Sequence, residues 1–425
     1  MLSEAARDYG RRYAQFLSDS PTSFHAAQKV ASILTDSDFF RVDPTQEWPA
    51  TPGKYFVLDE GALLAWVIPS SDVHAYAVFG AHTDSPGLKL KPTSHATTPD
   101  GWGQLLVEVY GGALYNSWLD RELEVAGVLY AKDGSTHLVR TGPIARIPQL
   151  AIHLDRGVNQ GLTLDPQRHL QPVWTVDDPD ADIMAVIAAS AQIAPSQIAA
   201  SDLFCVPTQR PDTFGNNAQF LAAGRQDNLS SVYAGLEGFL QSLSTPTTHI
   251  PVLAFFDHEE VGSSSRTGAA GPLLESLMRR TSAALGKDND RMVAASLCIS
   301  ADAGHSVHPN YAGMHDPDTH PVAGRGPVAK LNANQRYAST ASGVALWEAI
   351  CTQADIPHQS FVSRNDVPCG STIGPITATR TGLRTVDVGV PMLSMHSARE
   401  MIHIADAWYL ARAAATFFSD FSPLI

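Results

Sequence analysis

Acidic and imidazole side chains follow closely on four apolar runs of this sequence, and one more acidic residue opens a helical pattern. The runs lie at 73–81, 250–257, 294–301 and 384–390. The side chains are His82 and Asp84, Glu259 and Glu260, Asp302 and His396, with Asp227 at the start of the helical pattern. Imidazole with carboxylate and no thiolate suits zinc, manganese or cobalt. The set exceeds what one tetrahedral ion needs and is enough for two ions that share a carboxylate.

The adjacent residues Glu259 and Glu260 indicate a division of roles. Successive side chains of an extended backbone point in opposite directions, so the two carboxylates do not face the same way. One can bind metal while the other faces an attacking water as a general base. Metal-assisted hydrolysis needs both roles.

Each of these signals has a structural alternative. His82 and Asp84 could form a hydrogen-bonded pair at a strand end, Asp227 could cap a helix, and Asp302 could end a strand in a turn. The repeated placement after buried strands is what favours a metal site. The segment at 258–262 is not an HExxH motif, because Gly262 stands where the second histidine would be.

The elements that must position these residues alternate between strand and helix. The four apolar runs are typical of buried strands, and helical patterns lie near 3–17, 22–35, 228–243, 270–285, 341–354 and 405–417. This alternation predicts an α/β fold with a mixed, largely parallel sheet flanked by helices. Since the carboxyl ends of parallel strands share one edge, the acidic and imidazole side chains should meet in one cleft.

The middle of the chain has a different pattern. Short strand-like runs and many turn residues predict a β-rich domain at 92–223, with one helical segment at 181–194. It is predicted to interrupt the α/β domain, whose parts are 1–91 and 224–425.

Composition and charge exclude several classes of protein. The 425 residues include 29 lysine and arginine against 43 aspartate and glutamate, and the resulting net charge of −14 argues against nucleic acid as a partner. The first twenty residues lack the apolar region of a signal peptide, and the apolar stretch at 183–194 is too short to cross a membrane. Four scattered cysteines indicate a reducing, cytoplasmic location.

Long motifs of this sequence resemble those of the aspartyl aminopeptidase family, which are dinuclear zinc metallo-aminopeptidases. They cover nearly the whole chain: GAHTDSPGLKLKP (80–92), YGGALYNSWLDREL (110–123), LAIHLDRGVN (150–159), RQDN (225–228), FFDHEEVGSSS (255–265), HSVHPNY (305–311), GPVAKLNANQRY (326–337), RNDVPCGSTIGPI (364–376) and TVDVGVPMLSMHSARE (385–400). The resemblance implies a zinc-exopeptidase-like fold whose inserted domain drives dimerisation.

The resemblance also assigns roles at the metal centre. It implies that two divalent ions are bound, with zinc expected and manganese or cobalt as alternatives. The implied ligands are His82, Asp227, Glu260, Asp302 and His396, with Asp227 as the bridge. Glu259 matches the general base. Asp84 matches the carboxylate that orients His82.

Substrate recognition is implied in the same way. Lys330 matches the cation that meets an acidic side chain, with Tyr337 and His305 nearby. His153 matches a histidine that a neighbouring subunit contributes, within dimers that assemble into a tetrahedral dodecamer. The pattern is broken at Gln226, at Leu119 and at Arg266-Thr267, which puts the pocket shape in question but changes no implied ligand.

The sequence therefore predicts an aminopeptidase that removes N-terminal aspartate or glutamate from peptides with a free amino terminus. Two alternatives stay open at this point. A related two-metal hydrolase, such as a carboxypeptidase or an amide deacylase, would use the same ligands. A non-enzymatic assembly protein could keep the fold, although the intact ligand and base positions argue against it.

Overall fold

The computed structural model describes residues 2–70 and 72–419, so the predicted outer domain limits at 1 and 425 lie outside the described residues. Within the described residues the α-helices are α1 Glu4–Asp19, α2 Ser23–Asp36, α3 Pro166–His169, α4 Ile183–Ser190, α5 Gln226–Ser242, α6 Leu273–Ala284, α7 Asn289–Ala294, α8 Ala341–Gln353, α9 Ile373–Thr381 and α10 Ile404–Ser419. Side-chain N-caps fix several starts: Ser3, Thr22 and Thr340 each accept a backbone N–H of the first turn.

The strands form three sheets. Numbered along the chain, they are β1 Phe40–Arg41, β2 Gly53–Asp59, β3 Ala62–Ile68, β4 Tyr76–His82, β5 Gly87–Thr97, β6 Trp102–Tyr110, β7 Glu122–Ala131, β8 Thr136–Arg140, β9 Ala145–Arg146, β10 Val173–Val176, β11 Ile198–Pro207, β12 Asp212–Phe214, β13 Phe220–Ala223, β14 Ile250–Phe256, β15 Leu297–Ala301, β16 Gly304–His305, β17 Val328–Leu331, β18 Gln359–Val362, β19 Arg384–Gly389, β20 Pro391–Leu393 and β21 Glu400–His403.

The largest sheet has nine strands in the order β1-β2-β3-β14-β4-β15-β19-β17-β18. Its central strands β14, β4, β15 and β19 are mutually parallel, and Val78 of β4 pairs with both Val252 and Cys298. Every residue of β4, β14 and β15 is buried, which explains why these strands are continuous apolar runs. The sheet is mixed and largely parallel, as predicted.

Helices cover both faces of this sheet. On one face α1, α2, α5, α8 and α10 share a large apolar core with the strands, including the buried side chains of Phe79 and Phe239. On the other face a smaller core includes Trp66, Leu277 of α6 and Met292 of α7. None of the described helices is long and apolar enough to cross a bilayer.

The second sheet contains seven strands, β5 to β11, in the order β11-β5-β6-β10-β9-β7-β8. A further pairing between β11 and β7 closes it into a barrel-like unit around an apolar core that includes Leu105, Leu129 and Ile187. The unit lies between β4 and β14 along the chain, as an insertion does. It starts at Gly87 and ends at Pro207, and the limits 92 and 223 stay predictions.

The third sheet was not anticipated from the sequence. It joins β12, β13, β21, β20 and β16, which come from distant parts of the chain. One strand also begins later than its apolar run suggested: α7 extends to Ala294, and β15 begins only at Leu297. Ser296 lies between them, and its hydroxyl donates back to the Met292 carbonyl, which ends the helix.

Candidate active site

The parallel strands bring the predicted side chains to one edge of the nine-stranded sheet. His82 is the last residue of β4, and Asp302 follows β15 directly. Glu259 and Glu260 form a short turn after β14, and Asp227 lies at the start of α5 with non-helical backbone angles. The sequence separates these residues by many positions, but the strand order β14-β4-β15 places them side by side.

The ligand atoms form two groups that share Asp227. Nε2 of His82 lies 3.5 Å from Oδ1 of Asp227 and 3.4 Å from Oδ1 of Asp302. Nε2 of His396 lies 3.4 Å from Oδ2 of Asp227 and 3.4 Å from Oε2 of Glu260. The two oxygens of one carboxylate therefore face two different imidazoles. Within the described residues a further group of possible ligands combines His82 with Glu259 and Glu260.

The spacing of these atoms fits metal ions. Zinc bonds of about 2.1 Å in a tetrahedron set neighbouring ligand atoms about 3.4 Å apart, which is the separation seen in both groups. Oδ1 of Asp227 and Oε1 of Glu260 are buried and have no hydrogen-bond donor among the described residues. Buried carboxylate oxygens without donors are costly, and bound cations would satisfy them.

The hydrogen bonds at Nδ1 leave both imidazoles ready to bind metal. Nδ1 of His82 lies 3.1 Å from the backbone carbonyl oxygen of Asp84, and Nδ1 of His396 lies 3.1 Å from the carbonyl oxygen of Gly112. A carbonyl oxygen only accepts, so Nδ1 carries the proton in each ring. Nε2, which faces the carboxylates, is then the nitrogen available to a metal ion.

Asp84 organises the turn that carries the two glutamates. Its Oδ1 lies 3.3 Å from Nδ1 of His82 and accepts the backbone N–H of Glu259 at 3.0 Å. Its Oδ2 accepts the backbone N–H of Glu260 at 3.1 Å and the hydroxyl of Tyr110 at 2.8 Å. One buried carboxylate thus fixes a histidine and the following glutamate turn together. The pKa of Tyr110 is raised by burial and by Asp84, so its hydroxyl stays a donor.

The crowding of carboxylates shifts their pKa values. Burial, together with Asp302 and Asp227, raises the pKa of Glu259 to about 7. Burial, together with Asp227, raises the pKa of Glu260 well above its usual value. Burial also opposes the ionisation of Asp227, but the adjacent imidazoles of His396 and His82 hold its pKa below the usual value. Bound cations would neutralise this cluster of carboxylates and relieve their mutual repulsion.

Strained backbone surrounds the centre. Arg225, His258 and His396 have φ values of 64°, 62° and 65°, in the left-handed region that non-glycine residues seldom adopt. Each lies within two residues of a predicted ligand or is one. Such conformations persist where the surrounding structure enforces them, and they are frequent at functional sites.

Besides Tyr110, two residues that support the site were not identified from the sequence. Glu400 is buried, accepts the backbone N–H groups of Gln226 and Asp227 through Oε2, and accepts that of His396 through Oε1. The side chain of Asn228 donates to the Ala301 carbonyl at 2.7 Å, at the end of β15. The position of Glu400 four residues after His396 was the available signal.

The centre opens into a cleft of about 680 Å³. Lys330, Tyr337 and His305 line it together with Asp227, Glu259, Glu260, Asp302 and His396. The Lys330 side chain is buried, and its Nζ lies 5.3 Å from the ring centre of Tyr337. His153 is exposed in the segment between β9 and α3 and is not among the described residues that line this cleft.

Known proteins match this chain in sequence and in fold. Residues 16–418 match the family model described as aminopeptidase I zinc metalloprotease (M18). A probable M18 family aminopeptidase 2 from Streptomyces avermitilis is 47% identical over 413 residues, which cover 95% of each chain.

Two solved structures share the fold over nearly the whole chain. A structure of an Ape4 and Nbr1 complex has a TM-score of 0.95 at 32% identity, covering 99% of this chain and 87% of that one. The S. cerevisiae mApe1 dodecamer has a TM-score of 0.88 at 27% identity, covering 98% of each chain. This chain therefore belongs to the M18 family, and it is a metal-dependent aminopeptidase.

Proposed function

We propose that this aminopeptidase uses two metal ions and removes acidic N-terminal residues. The observation that carries the two-ion proposal is the position of Asp227, whose two oxygens face His82 and His396 separately. Asp302 completes the His82 group, and Glu260 completes the His396 group. Zinc is the proposed ion because the ligands are imidazole and carboxylate with tetrahedral spacing, and manganese and cobalt remain alternatives.

The proposed mechanism is hydrolysis of the first peptide bond. Bound ions would polarise the scissile carbonyl and lower the pKa of a water molecule. His82, Asp227 and Asp302 would hold one ion, and Glu260 and His396 would share Asp227 to hold the other. Glu259 would accept the proton of the water and pass it to the leaving amine.

The proposed specificity arises from Lys330. It is a cation that lines the cleft beside the predicted ligands, and its Nζ lies 5.3 Å from the ring centre of Tyr337. A point charge in a partly dry pocket favours a substrate carboxylate without requiring bidentate geometry. His305 lines the same cleft and would contact the substrate. The overall negative charge of the chain gives an acidic peptide no long-range attraction, so selection must be local.

We also propose assembly into dimers and a dodecamer. The mApe1 structure is a dodecamer, and it resembles this chain over nearly its whole length. His153 is exposed and lies away from the cleft of its own chain. A residue that is contributed to a neighbouring subunit must be exposed in this way. The segment around it also exposes Leu150, Ile152 and Leu154, which another subunit would cover. The inserted domain at 92–223 would form the dimer contact.

A cytoplasmic location is proposed from the cysteines. The four cysteines are free, and Cys205, Cys298 and Cys351 are buried. Proteins of oxidising compartments more often pair their cysteines. Nucleic acid and membrane are not proposed as partners.

The experiment that tests the function combines a substrate panel with one substitution. Peptides that begin with Asp, Glu, Ala or Lys, and an N-acetylated Asp peptide, are compared by turnover, and zinc content is measured on the same protein. We expect cleavage of free N-terminal Asp and Glu above Ala and Lys, and none of the acetylated peptide. Cleavage of the acetylated peptide alone would instead indicate an amide deacylase.

The substitution Glu259→Gln removes the proposed base and keeps its size. We expect two zinc ions to be retained while turnover falls about 10²- to 10⁴-fold, the usual contribution of a general base. Glu275→Gln, on the exposed surface of α6, is the matched control and should leave turnover unchanged. Unchanged turnover in Glu259→Gln would refute the assigned base.

A further inference from the structure

The segment Tyr110–Leu114 connects the seven-stranded sheet to the metal-facing side chains. Tyr110 is the last residue of β6, and the chain then passes Gly111 and Gly112 on its way to Leu114. This segment belongs to the inserted unit, yet it touches residues that come from both parts of the α/β domain. Its contacts fall on the two ligand groups separately.

The first contact supports His82. The Tyr110 hydroxyl donates to Oδ2 of Asp84 at 2.8 Å. Asp84 is 4% exposed, and its Oδ1 lies 3.3 Å from Nδ1 of His82. Without the hydroxyl, the carboxylate would keep the backbone N–H groups of Glu259 and Glu260, one on each oxygen, but Oδ2 would lose its shortest hydrogen bond. Tyr110 therefore acts on the imidazole through the carboxylate.

The second contact supports His396. Its Nδ1–H donates to the Gly112 carbonyl at 3.1 Å, and its own carbonyl accepts the backbone N–H of Leu114 at 3.0 Å. The histidine is thus held at its ring and at its backbone by one short piece of chain. Because His396 has a left-handed φ of 65°, these bonds also help to enforce its conformation.

The two glycines make this close approach possible. A Cβ on Gly111, which has a φ of +67°, would lie 3.1 Å from Cβ of Glu260. A Cβ on Gly112 would lie 3.2 Å from Nδ1 of His396. Side chains at these positions would press on a predicted ligand in each case. The backbone of the segment is therefore packed against the ligands without room for a side chain.

We propose that the segment Tyr110–Leu114 positions the ligands of both metal ions, with Tyr110 acting on His82 through Asp84 and the backbone of Gly112 and Leu114 acting on His396. The inference rests on the two-ion function proposed above. It makes the inserted unit a part of the metal centre within its own chain, in addition to any role in assembly. Tyr110 is a positioning residue, since it touches neither ligand directly.

The substitution Tyr110→Phe tests the first contact, because it removes one hydroxyl and keeps the ring. Zinc affinity is measured by competition with a chromogenic chelator, and kcat and KM are measured on an Asp-initiated peptide. We expect zinc affinity and kcat to fall up to about tenfold, the lower end of the effect of losing a direct partner of a metal-binding histidine, because Tyr110 acts on His82 through Asp84. KM should stay within about twofold, since the substrate contacts are untouched.

Two controls separate positioning from general damage. Tyr130→Phe removes a hydroxyl from β7 of the same sheet, away from Asp84, and should keep the zinc affinity and kcat of the unaltered chain. The melting temperature of the zinc-free Tyr110→Phe protein should match that of the zinc-free parent, while the rise on adding zinc should be smaller. A structural defect would lower both melting temperatures equally.

The substitution Gly112→Ala tests the second contact independently. We expect weaker zinc binding, because the added methyl group displaces the His396 ring. Zinc affinity is measured without substrate, so an error in the proposed acidic preference would leave this comparison intact. Parent-like zinc affinity and kcat in both Tyr110→Phe and Gly112→Ala would overturn the inference, even in a protein that prefers acidic peptides.

Discussion

Nζ of Lys330 lies 3.1 Å from Oδ2 of Asp302 and donates as well to the carbonyl of Ala303 at 2.8 Å. The residue proposed to recognise the substrate therefore also holds a proposed metal ligand. With 2% of its surface exposed, Lys330 is a buried cation whose charge is balanced within the site. Recognition and metal binding are linked through this one ion pair.

The link predicts a double effect of Lys330→Met, which removes the charge and keeps much of the bulk. The ratio of kcat/KM for Asp-initiated over Ala-initiated peptides should fall by at least about tenfold, because the substrate carboxylate loses its partner. Turnover of both peptides should fall as well, because Asp302 loses a donor. Lys29→Met, at a surface ion pair with Asp19, is the control. An unaltered ratio would mean that a group other than Lys330 recognises the first side chain of the peptide.

Glu400 should matter for metal binding although it is not a proposed ligand. Glu400→Gln replaces one of the two acceptor oxygens that hold the backbone N–H groups of Asp227 and His396. We expect a ten- to hundredfold loss of zinc affinity, about the loss seen for partners of metal ligands. Chelator competition measures it, with exposed Glu348→Gln as control. Parent-like affinity would show that the backbone is held by other contacts.

Removing the metal should inactivate and destabilise the protein. A chelator leaves Oδ1 of Asp227 and Oε1 of Glu260 buried without partners, and the negative charges then repel each other. We expect loss of turnover and a lower melting temperature, with both restored by added zinc in a concentration-dependent way. Calorimetry with and without zinc measures the effect. A melting temperature that does not respond to zinc would contradict the assigned centre.

His25 should make the fold sensitive to acid. Burial, with Arg140 and Arg225 nearby, lowers the pKa of His25 from 6.5 to about 4. The folded protein favours the neutral imidazole. Its contribution to the free energy of unfolding is therefore complete above pH 6.5 and is lost as the pH falls towards 4. At 1.36 kcal/mol per pKa unit, this amounts to at most about 3 kcal/mol.

The measurement is the melting temperature between pH 7 and pH 4.5. The melting temperature of the parent should fall by more than that of His25→Gln over this range, because the variant has no imidazole to protonate at this position. His74→Gln, at an exposed position, should lose as much as the parent. An equal fall of melting temperature with pH in the parent and in His25→Gln would show that other groups cause the loss of stability in acid.

The central sheet and the grouping of the site could be predicted because burial on both faces leaves a clear trace in the sequence. Strands such as β4 and β14 are continuous apolar runs, so the polar residue at each carboxyl end stands out. His82 and Asp302 were found in this way. His153 could only be assigned by resemblance, since an exposed histidine in a long connection has no local signal.

The third sheet and the supporting residues could not be predicted for a different reason. Strands such as β16 and β20 have two or three residues, too few to show a period. Tyr110 and Glu400 act through hydrogen bonds to segments that are distant in sequence, such as Asp84 and Asp227. Their roles depend on how separate segments pack, and the spacing of Glu400 from His396 is the one sequence signal for either of them.

The order of the ligand-bearing elements along the chain also bears on synthesis. His82 emerges from the ribosome early, but His396 follows 314 residues later, after the whole inserted unit. Because Asp227 and Glu260 face His396, a nascent chain without its last strands and helix cannot complete the second group. The proposed second ligand group therefore forms only after His396 has been made, and a chain interrupted before that residue is expected to lack it.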